Sequence, residues 1–121
     1  TFPIPQSRHT TIHKSDIVKN KDLVILAESA EAGVTLIKSK SNREIFMTGH
    51  LEYDTDTLAN EYWRDVEKGM KMALPKNYYP NNNSSLPPRS YWRSTAHLFY
   101  SNWLNYYVYQ ATPFEFLNQD E

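Results

Sequence analysis

The sequence contains no cysteine, so disulfide bonds, thiolate metal sites and a cysteine nucleophile are all excluded within it. It also has no apolar run long enough to cross a membrane. Acidic and basic residues nearly balance, with a formal net charge of −1 and no block of either sign. Such a chain lacks the basic surface that binds duplex nucleic acid or an anionic membrane, so the expected partners are small molecules or proteins.

The 121 residues are enough for one folding unit with a hydrophobic core, or for part of one. Residues 1–5 lack the charged and apolar regions of a signal peptide. The chain starts without methionine and reads as structured sequence from the outset. We therefore expect the trimmed or cleaved remainder of a longer protein.

The first half predicts a short helix followed by a β-meander. Ser15 is the candidate N-cap of that helix, and Asn20 or Asp22 ends it. The three strands of the meander are expected at residues 23–27, 34–38 and 44–47. The first of these is a continuous apolar run, which is typical of a strand buried on both faces.

Two helices separated by a loop are predicted in the second half. Leu58, Tyr62 and Val66 recur every four residues, with Ala59, Trp63 and Met70 widening the stripe, in a helix capped by Asp54 or Thr55 and ended near Gly69. Residues 73–92 hold four of the seven prolines. Aromatic side chains favour an ordered loop here, packed on the body of the protein through Tyr78, Tyr79, Tyr91 and Trp92.

Ser94 can cap a final helix over residues 95–110, which is apolar round most of its circumference. A helix of this kind is buried or covered by a partner. Its aromatic residues at 98–109 could stack on bases or sugars, but helical spacing favours core packing. His97 is interpreted as a hydrogen-bonded core residue rather than a catalyst.

The stretch from Gly49 to Asp54 follows the third strand and carries a candidate catalytic pair. A glycine at that junction allows a sharp turn that presents the next residues at the strand end. His50 and Glu52 are two apart, which on a strand places both on one face, where a carboxylate can orient an imidazole base. The alternative is a surface histidine near a helix N-terminus, with Glu52 favouring the helix dipole.

Glu61 and Arg64, one helical turn apart, form a second candidate pair. Together they complement the ammonium and carboxylate of an α-amino acid, the arginine through two parallel hydrogen bonds. The alternative is an ordinary solvated pair on a helix surface. Ser7 and Arg8 belong to a substrate-contacting loop or to a simple entry turn. His9 and His13 are four apart, but the residues between them favour an extended chain, and no metal site is expected.

Several stretches resemble the homoserine O-acyltransferase family of methionine biosynthesis, and the match covers nearly the whole chain. The matching segments are Pro5-Gln6-Ser7-Arg8-His9-Thr10, Ser15-Asp16-Ile17, Glu31-Ala32-Gly33-Val34, Gly49-His50-Leu51-Glu52-Tyr53-Asp54, residues 57–65, Trp92-Arg93-Ser94 and residues 101–110. The resemblance implies an α/β fold of the class I glutamine-amidotransferase-like (flavodoxin-like) type, a sheet with flanking helices. Residues 1–121 would be its C-terminal portion, and the N-terminal portion with the nucleophile is absent.

The resemblance further implies a ping-pong reaction, in which a cysteine takes an acyl group from acetyl-CoA or succinyl-CoA and passes it to L-homoserine. His50 would be the general base and Glu52 its orienting acid. Glu61 and Arg64 would grip the amino and carboxylate groups of the amino acid, and Ser7 would line its pocket. Acyl-CoA is a co-substrate and no bound cofactor is expected. The implied location is cytoplasmic.

Family members usually carry proline where Leu51 stands, often histidine where Thr95 stands, and Pro-Tyr-Asp where Pro113-Phe114-Glu115 stands. Without the family's cysteine and oxyanion-forming loop, this chain alone is expected to be inactive. The N-terminal portion of the same enzyme, or a second subunit in a homodimer, would cover the final helix. Acetyl is the preferred donor, although the residue that selects the acyl group belongs to the absent portion. Alternatives are an acyltransferase for serine or another hydroxy-amino acid, and a non-catalytic amino-acid-binding or regulatory module.

Overall fold

A computed structural model describes residues 1–113 as an α/β arrangement of three helices and one three-stranded antiparallel sheet. The helices are α1 (Lys14–Lys19), α2 (Thr57–Glu67) and α3 (Arg93–Asn102), and the strands are β1 (Leu23–Ser29), β2 (Gly33–Ser39) and β3 (Ile45–Met47). A 3-10 turn covers Pro80–Asn82, and a π-helical segment, Trp103–Tyr109, continues α3. Phe114 and Glu115, where the sequence departs from the family pattern, lie outside the described residues.

The sheet confirms the predicted meander, with strand order β1-β2-β3. Its register pairs Leu23 with Ser39 across β1 and β2, and Leu36 with Met47 across β2 and β3. The expectation that the first strand is buried on both faces is wrong, because β1 lies at an edge of this sheet and Leu26 is 46% exposed. The central strand β2 is the buried one, since it has a neighbour on each side.

The predicted helix ends are partly correct. Asn20 ends α1 as predicted, but His13 occupies the N-cap position and Ser15 lies inside the helix. The second helix begins at Thr57, two or three residues after the predicted caps, because a turn precedes it in which the Thr57 N–H donates to the Asp54 carbonyl. Gly69 follows its end with a φ of +77°, the left-handed conformation in which glycine ends helices.

A hydrophobic cluster joins α2 to the proline-rich loop. Its buried members are Leu51, Leu58, Tyr78, Tyr79 and Trp92. The loop is therefore ordered and packed as predicted, although Tyr91 is 49% exposed and does not belong to the cluster. Leu51, where the resemblance led us to expect proline, is a buried member of this cluster.

The predicted apolar stripe of α2 is only partly buried. Leu58 is in the core, but Trp63 is 45% exposed and Met70 is 43% exposed. The other buried residue of this helix is Asp65, which lies two turns beyond Leu58 on the same face. A carboxylate thus replaces an apolar side chain in the stripe, and its partners are described with the site below.

The last helix differs most from the prediction. It begins at Arg93 rather than after Ser94, and it becomes π-helical at Trp103. No side chain of α3 is buried, and both Leu98 and His97 are exposed, so the core roles expected for His97 and most of the aromatics are wrong in this part of the chain. An apolar helix stays exposed because residues 1–113 offer nothing that covers it. None of their helices has the length and apolar character needed to cross a bilayer.

Gly49 is needed for a close approach of two segments rather than for a sharp turn. Its φ is not positive, unlike those of Gly33 and Gly69. A Cβ atom at this position would lie 2.9 Å from the Pro5 carbonyl oxygen and closer still to the side chains of Ile4 and Gln6. The N-terminal segment therefore packs directly against the backbone at Gly49.

Gly49→Ala should destabilise the whole protein by about 1–3 kcal/mol, the usual cost of overpacking, because a backbone oxygen cannot move aside as a flexible side chain can. Urea denaturation of the wild type and the variant measures the difference. Gly69→Ala is the comparison, since an added Cβ there meets no atom within 4 Å and only the positive φ penalises it. Unchanged stability of Gly49→Ala would contradict the packing of Ile4 to Gln6 on this glycine.

Candidate active site

The backbone around Gly49 brings the N-terminal segment to the end of β3. The N–H of His50 donates to the Pro5 carbonyl at 2.9 Å, which holds the residues after Pro5 beside those after His50. Residues 50–53 form a turn in which the Tyr53 N–H approaches the His50 carbonyl at 3.5 Å. The expected strand geometry for His50 and Glu52 is therefore wrong, but the turn still places the two side chains together.

His50 and Glu52 form a direct hydrogen bond. The distance from His50 Nδ1 to Glu52 Oε1 is 2.7 Å. With Nδ1–H donating to the carboxylate, Nε2 of the neutral ring keeps its lone pair and can accept a proton. The His50 side chain is 33% exposed and that of Glu52 58%, so the pair is open to solvent in this part of the chain. This is the arrangement of a general base with an orienting carboxylate.

Tyr53 stands between this pair and Glu61. Its ring stacks on the imidazole of His50, with centroids 4.3 Å apart and planes 14° apart. Its hydroxyl donates to the Glu61 carboxylate, 2.9 Å from one oxygen and 3.0 Å from the other. Burial raises the pKa of the Tyr53 phenol, the Glu61 carboxylate raises it further, and a hydrogen bond with Ser7 opposes both. The phenol therefore stays protonated and remains a donor.

Arg64 is held from within its own helix. Its Nε donates to Oδ1 of Asp65 at 2.9 Å, while the Arg64 side chain is 55% exposed and that of Asp65 only 9%. This hydrogen bond raises the pKa of the Arg64 guanidinium and lowers the pKa of the Asp65 carboxyl, and Glu61 and Tyr53 add smaller favourable charge interactions with the arginine. The guanidinium is thus held through Nε, and within residues 1–113 its two Nη groups make no hydrogen bond.

The N-terminal loop reaches the same place. His9 Nε2 lies 3.9 Å from Oδ2 of Asp65, and a guanidinium N–H of Arg8 donates to the Ala32 carbonyl at the turn between β1 and β2. Within residues 1–113, no group of three or more histidine, aspartate or glutamate side chains could hold a metal ion. His9 and His13 thus form no ligand cluster in this part of the chain.

The N-terminal loop also lines a cavity of about 800 Å³. Residues from that loop line it, together with the turn before β2 and the cluster residues Leu58, Tyr78 and Trp92. His50, Glu52 and Glu61 lie outside it. The side chains of the two candidate pairs therefore do not line this cavity.

The five site residues predicted from the sequence lie in one neighbourhood, together with two residues that were not predicted. The predicted residues are Ser7, His50, Glu52, Glu61 and Arg64. The missed ones are Tyr53, which contacts both pairs, and Asp65, which holds Arg64. A signal existed for Asp65, because it is a carboxylate on the apolar face of an amphipathic helix. No local signal marks Tyr53, whose contacts with Glu61 depend on how the chain folds.

The fold is that of an α/β protein, and its candidate site sets a hydrogen-bonded histidine–glutamate pair next to a second glutamate and an arginine. The family model described as homoserine O-succinyltransferase matches residues 1–114, and the chain belongs to this family.

Several curated relatives carry the name homoserine O-acetyltransferase. That of Agathobacter rectalis is 52% identical over 120 residues, covering 99% of this chain and 39% of the relative. The corresponding protein of Lachnoclostridium phytofermentans is 54% identical over 114 residues, 94% of this chain and 38% of the relative. That of Petrotoga mobilis is 49% identical over 121 residues, 100% of this chain and 39% of the relative. The chain thus spans about two fifths of the length of these relatives.

Proposed function

We propose that this chain is the C-terminal portion of an acyl-CoA-dependent O-acyltransferase that acylates the side-chain hydroxyl of L-homoserine. The observation that carries the proposal is that one side chain, Tyr53, contacts both His50 and Glu61. The candidate base therefore lies close to a carboxylate that could bind the ammonium group of an amino acid. The relatives' names support homoserine as the acceptor and acetyl as the acyl group. The family resemblance supports methionine biosynthesis in the cytoplasm.

In the proposed reaction, a cysteine of the N-terminal portion gives its thiol proton to Nε2 of His50, the resulting thiolate attacks the thioester carbonyl of acyl-CoA, and CoA leaves with that proton. The homoserine hydroxyl then attacks the acyl-cysteine, its proton passes to Nε2 of His50, and the cysteine thiolate is released. Glu52 holds the Nδ1–H of the imidazole and stabilises the imidazolium that forms. The proton is later returned to the next leaving group.

The acceptor amino acid would be held by the exposed sides of Glu61 and Arg64. The Glu61 carboxylate accepts from the substrate ammonium, and the two Nη groups of Arg64 donate to the substrate carboxylate. Ser7 lies beside the Tyr53 hydroxyl, at the edge of the same surface. Fixing the head group in this way brings the side-chain hydroxyl toward His50 without a bimolecular encounter at the reacting atoms.

The missing portion has a defined place in this proposal. We propose that it supplies the cysteine, the oxyanion-forming loop and the remaining strands of a class I glutamine-amidotransferase-like sheet. It would also cover the apolar side chains of α3, such as Leu98 and Tyr100, that are exposed here. The chain alone would then form no acyl-enzyme, because it contains no cysteine.

The test is to purify the whole gene product, measure its intact mass and assay it with acetyl-CoA or succinyl-CoA and with L-homoserine or L-serine. We expect a protein longer than this chain, an added mass of one acetyl group on a cysteine when acetyl-CoA is supplied alone, and O-acetylhomoserine when homoserine follows. Preference for serine would move the acceptor to a shorter hydroxy-amino acid. A gene product whose first residue is Thr1 would favour a non-catalytic amino-acid-binding module. Binding of homoserine without acyl transfer would favour the same alternative.

A further inference from the structure

We propose that Tyr53 is the positioning residue of the acyl-acceptor site, with its hydroxyl holding Glu61 for the substrate ammonium and its ring holding the imidazole of His50. This role rests on the proposed function, because both groups that it positions act there. Tyr53 itself needs no contact with the reacting atoms. It acts through Glu61 and His50, which approach the substrate.

The main chain of Tyr53 is anchored in the hydrophobic cluster. The indole N–H of Trp92 donates to the Tyr53 carbonyl oxygen at 3.0 Å, and Trp92 is only 4% exposed. The residue two positions earlier, Leu51, is 3% exposed and belongs to the same cluster. A side chain that starts from so constrained a backbone can hold its neighbours in place, which an exposed tyrosine on a mobile loop could not do.

The phenol end fixes Glu61. With 2.9 and 3.0 Å to the two carboxylate oxygens, a single hydroxyl hydrogen is shared between them and keeps the carboxylate centred on the phenol. Each oxygen retains lone pairs for an ammonium group. Glu61 is the hydrogen-bond partner of this hydroxyl, so the phenol links the turn after His50 to α2. No other group in the described residues is hydrogen-bonded to the Glu61 carboxylate.

The ring face restrains His50. The imidazole is held in its plane by the Glu52 hydrogen bond at Nδ1, and the stacked phenol ring at 4.3 Å limits rotation out of that plane. Nε2 is then the nitrogen left to meet the substrate. The two ends of Tyr53 therefore have separable effects, since removing the hydroxyl should disturb Glu61 alone, whereas removing the ring should disturb His50 as well.

The experiment compares Tyr53→Phe and Tyr53→Leu in the whole protein by steady-state kinetics and by the rate of enzyme acylation from acetyl-CoA alone. We expect Tyr53→Phe to raise KM for homoserine about tenfold, the effect of losing a hydrogen bond to a charged group, with acylation unchanged. Tyr53→Leu should in addition slow acylation. The control is Tyr79→Phe, because the Tyr79 hydroxyl is buried in the same cluster without a hydrogen-bond partner in residues 1–113.

A double-mutant cycle separates positioning from general loss of structure. If Tyr53 acts through Glu61, Tyr53→Phe should add little to the KM defect of Glu61→Gln, whereas independent effects would multiply. Multiplicative effects, or an unchanged KM in Tyr53→Phe with normal wild-type activity, would overturn the role of Tyr53 alone. If the wild-type whole protein transfers no acyl group to any hydroxy-amino acid, the proposed function fails first and this role fails with it.

Discussion

The His50→Ala variant of the whole protein is expected to lose acyl transfer at neutral pH, with a fall in rate of about 10²–10⁴-fold, the usual contribution of a positioned general base. The Glu52 hydrogen bond at 2.7 Å leaves one ring nitrogen free to take a proton. Alanine removes that acceptor, and no other imidazole is hydrogen-bonded to a carboxylate in the described residues. Both half-reactions should slow, because cysteine and homoserine hydroxyl each need a base.

The measurement is the release of CoA in the absence of homoserine, followed by formation of acylhomoserine from pre-acylated enzyme. Added imidazole should restore part of the activity of His50→Ala, since a small base can enter the space that the side chain leaves. Glu52→Gln should slow both steps less than His50→Ala does, because it keeps the base and removes only its charged partner. The matched control is His97→Ala, an exposed histidine on α3 outside the site. Normal activity of His50→Ala would end its assignment as the base.

Arg64→Ala is expected to lower kcat/KM for homoserine about 100-fold while the rate of enzyme acylation from acyl-CoA stays within about twofold of wild type. The reason is that, in the proposed reaction, the guanidinium would bind the carboxylate of the acceptor, and the acceptor takes no part in the first half-reaction. The hydrogen bond to Asp65 uses Nε, so the two Nη groups remain to donate to the substrate carboxylate. A charge alone does not reproduce this geometry, so Arg64→Lys should recover little of the loss.

The same two half-reaction assays provide the measurement. Arg43→Ala is a matched control, because Arg43 is an exposed arginine in the turn between β2 and β3. A homoserine analogue without the carboxylate should react with wild type and Arg64→Ala at similar rates, as the group that the arginine binds is then missing from both complexes. Equal losses in acylation and in acceptor use would show that Arg64 supports the structure rather than the substrate carboxylate.

The spacing of residues along the sequence was sufficient to predict those features whose contacting residues are close in sequence. The meander, the end of α2 near Gly69 and the pairing of His50 with Glu52 all depend on residues a few positions apart. His50 and Glu52 meet even though the expected strand is a turn. Local features of this kind can be predicted from the periodicity of apolar residues and from turn-forming residues.

Long-range pairing decided the features that were mispredicted. An apolar run does not indicate whether its strand will be central or at an edge of the sheet. In the described sheet, β1 is an edge strand. The apolar composition of α3 predicts that something covers it, but not that residues 1–113 fail to do so. Tyr53 could not be predicted as a site residue, because its contact with Glu61 depends on how α2 packs in the folded chain.

The hydrogen bond from His50 N–H to the Pro5 carbonyl has a kinetic consequence. It closes a loop that contains α1 and the entire meander, and the bond from Trp92 to Tyr53 closes another that spans 39 positions. Contacts so distant in sequence form slowly, because the chain entropy lost on closing such loops must be overcome before the contact stabilises anything. During refolding, catalytic competence should therefore lag behind the recovery of helix and sheet, and the base should be among the last groups to reach its working position.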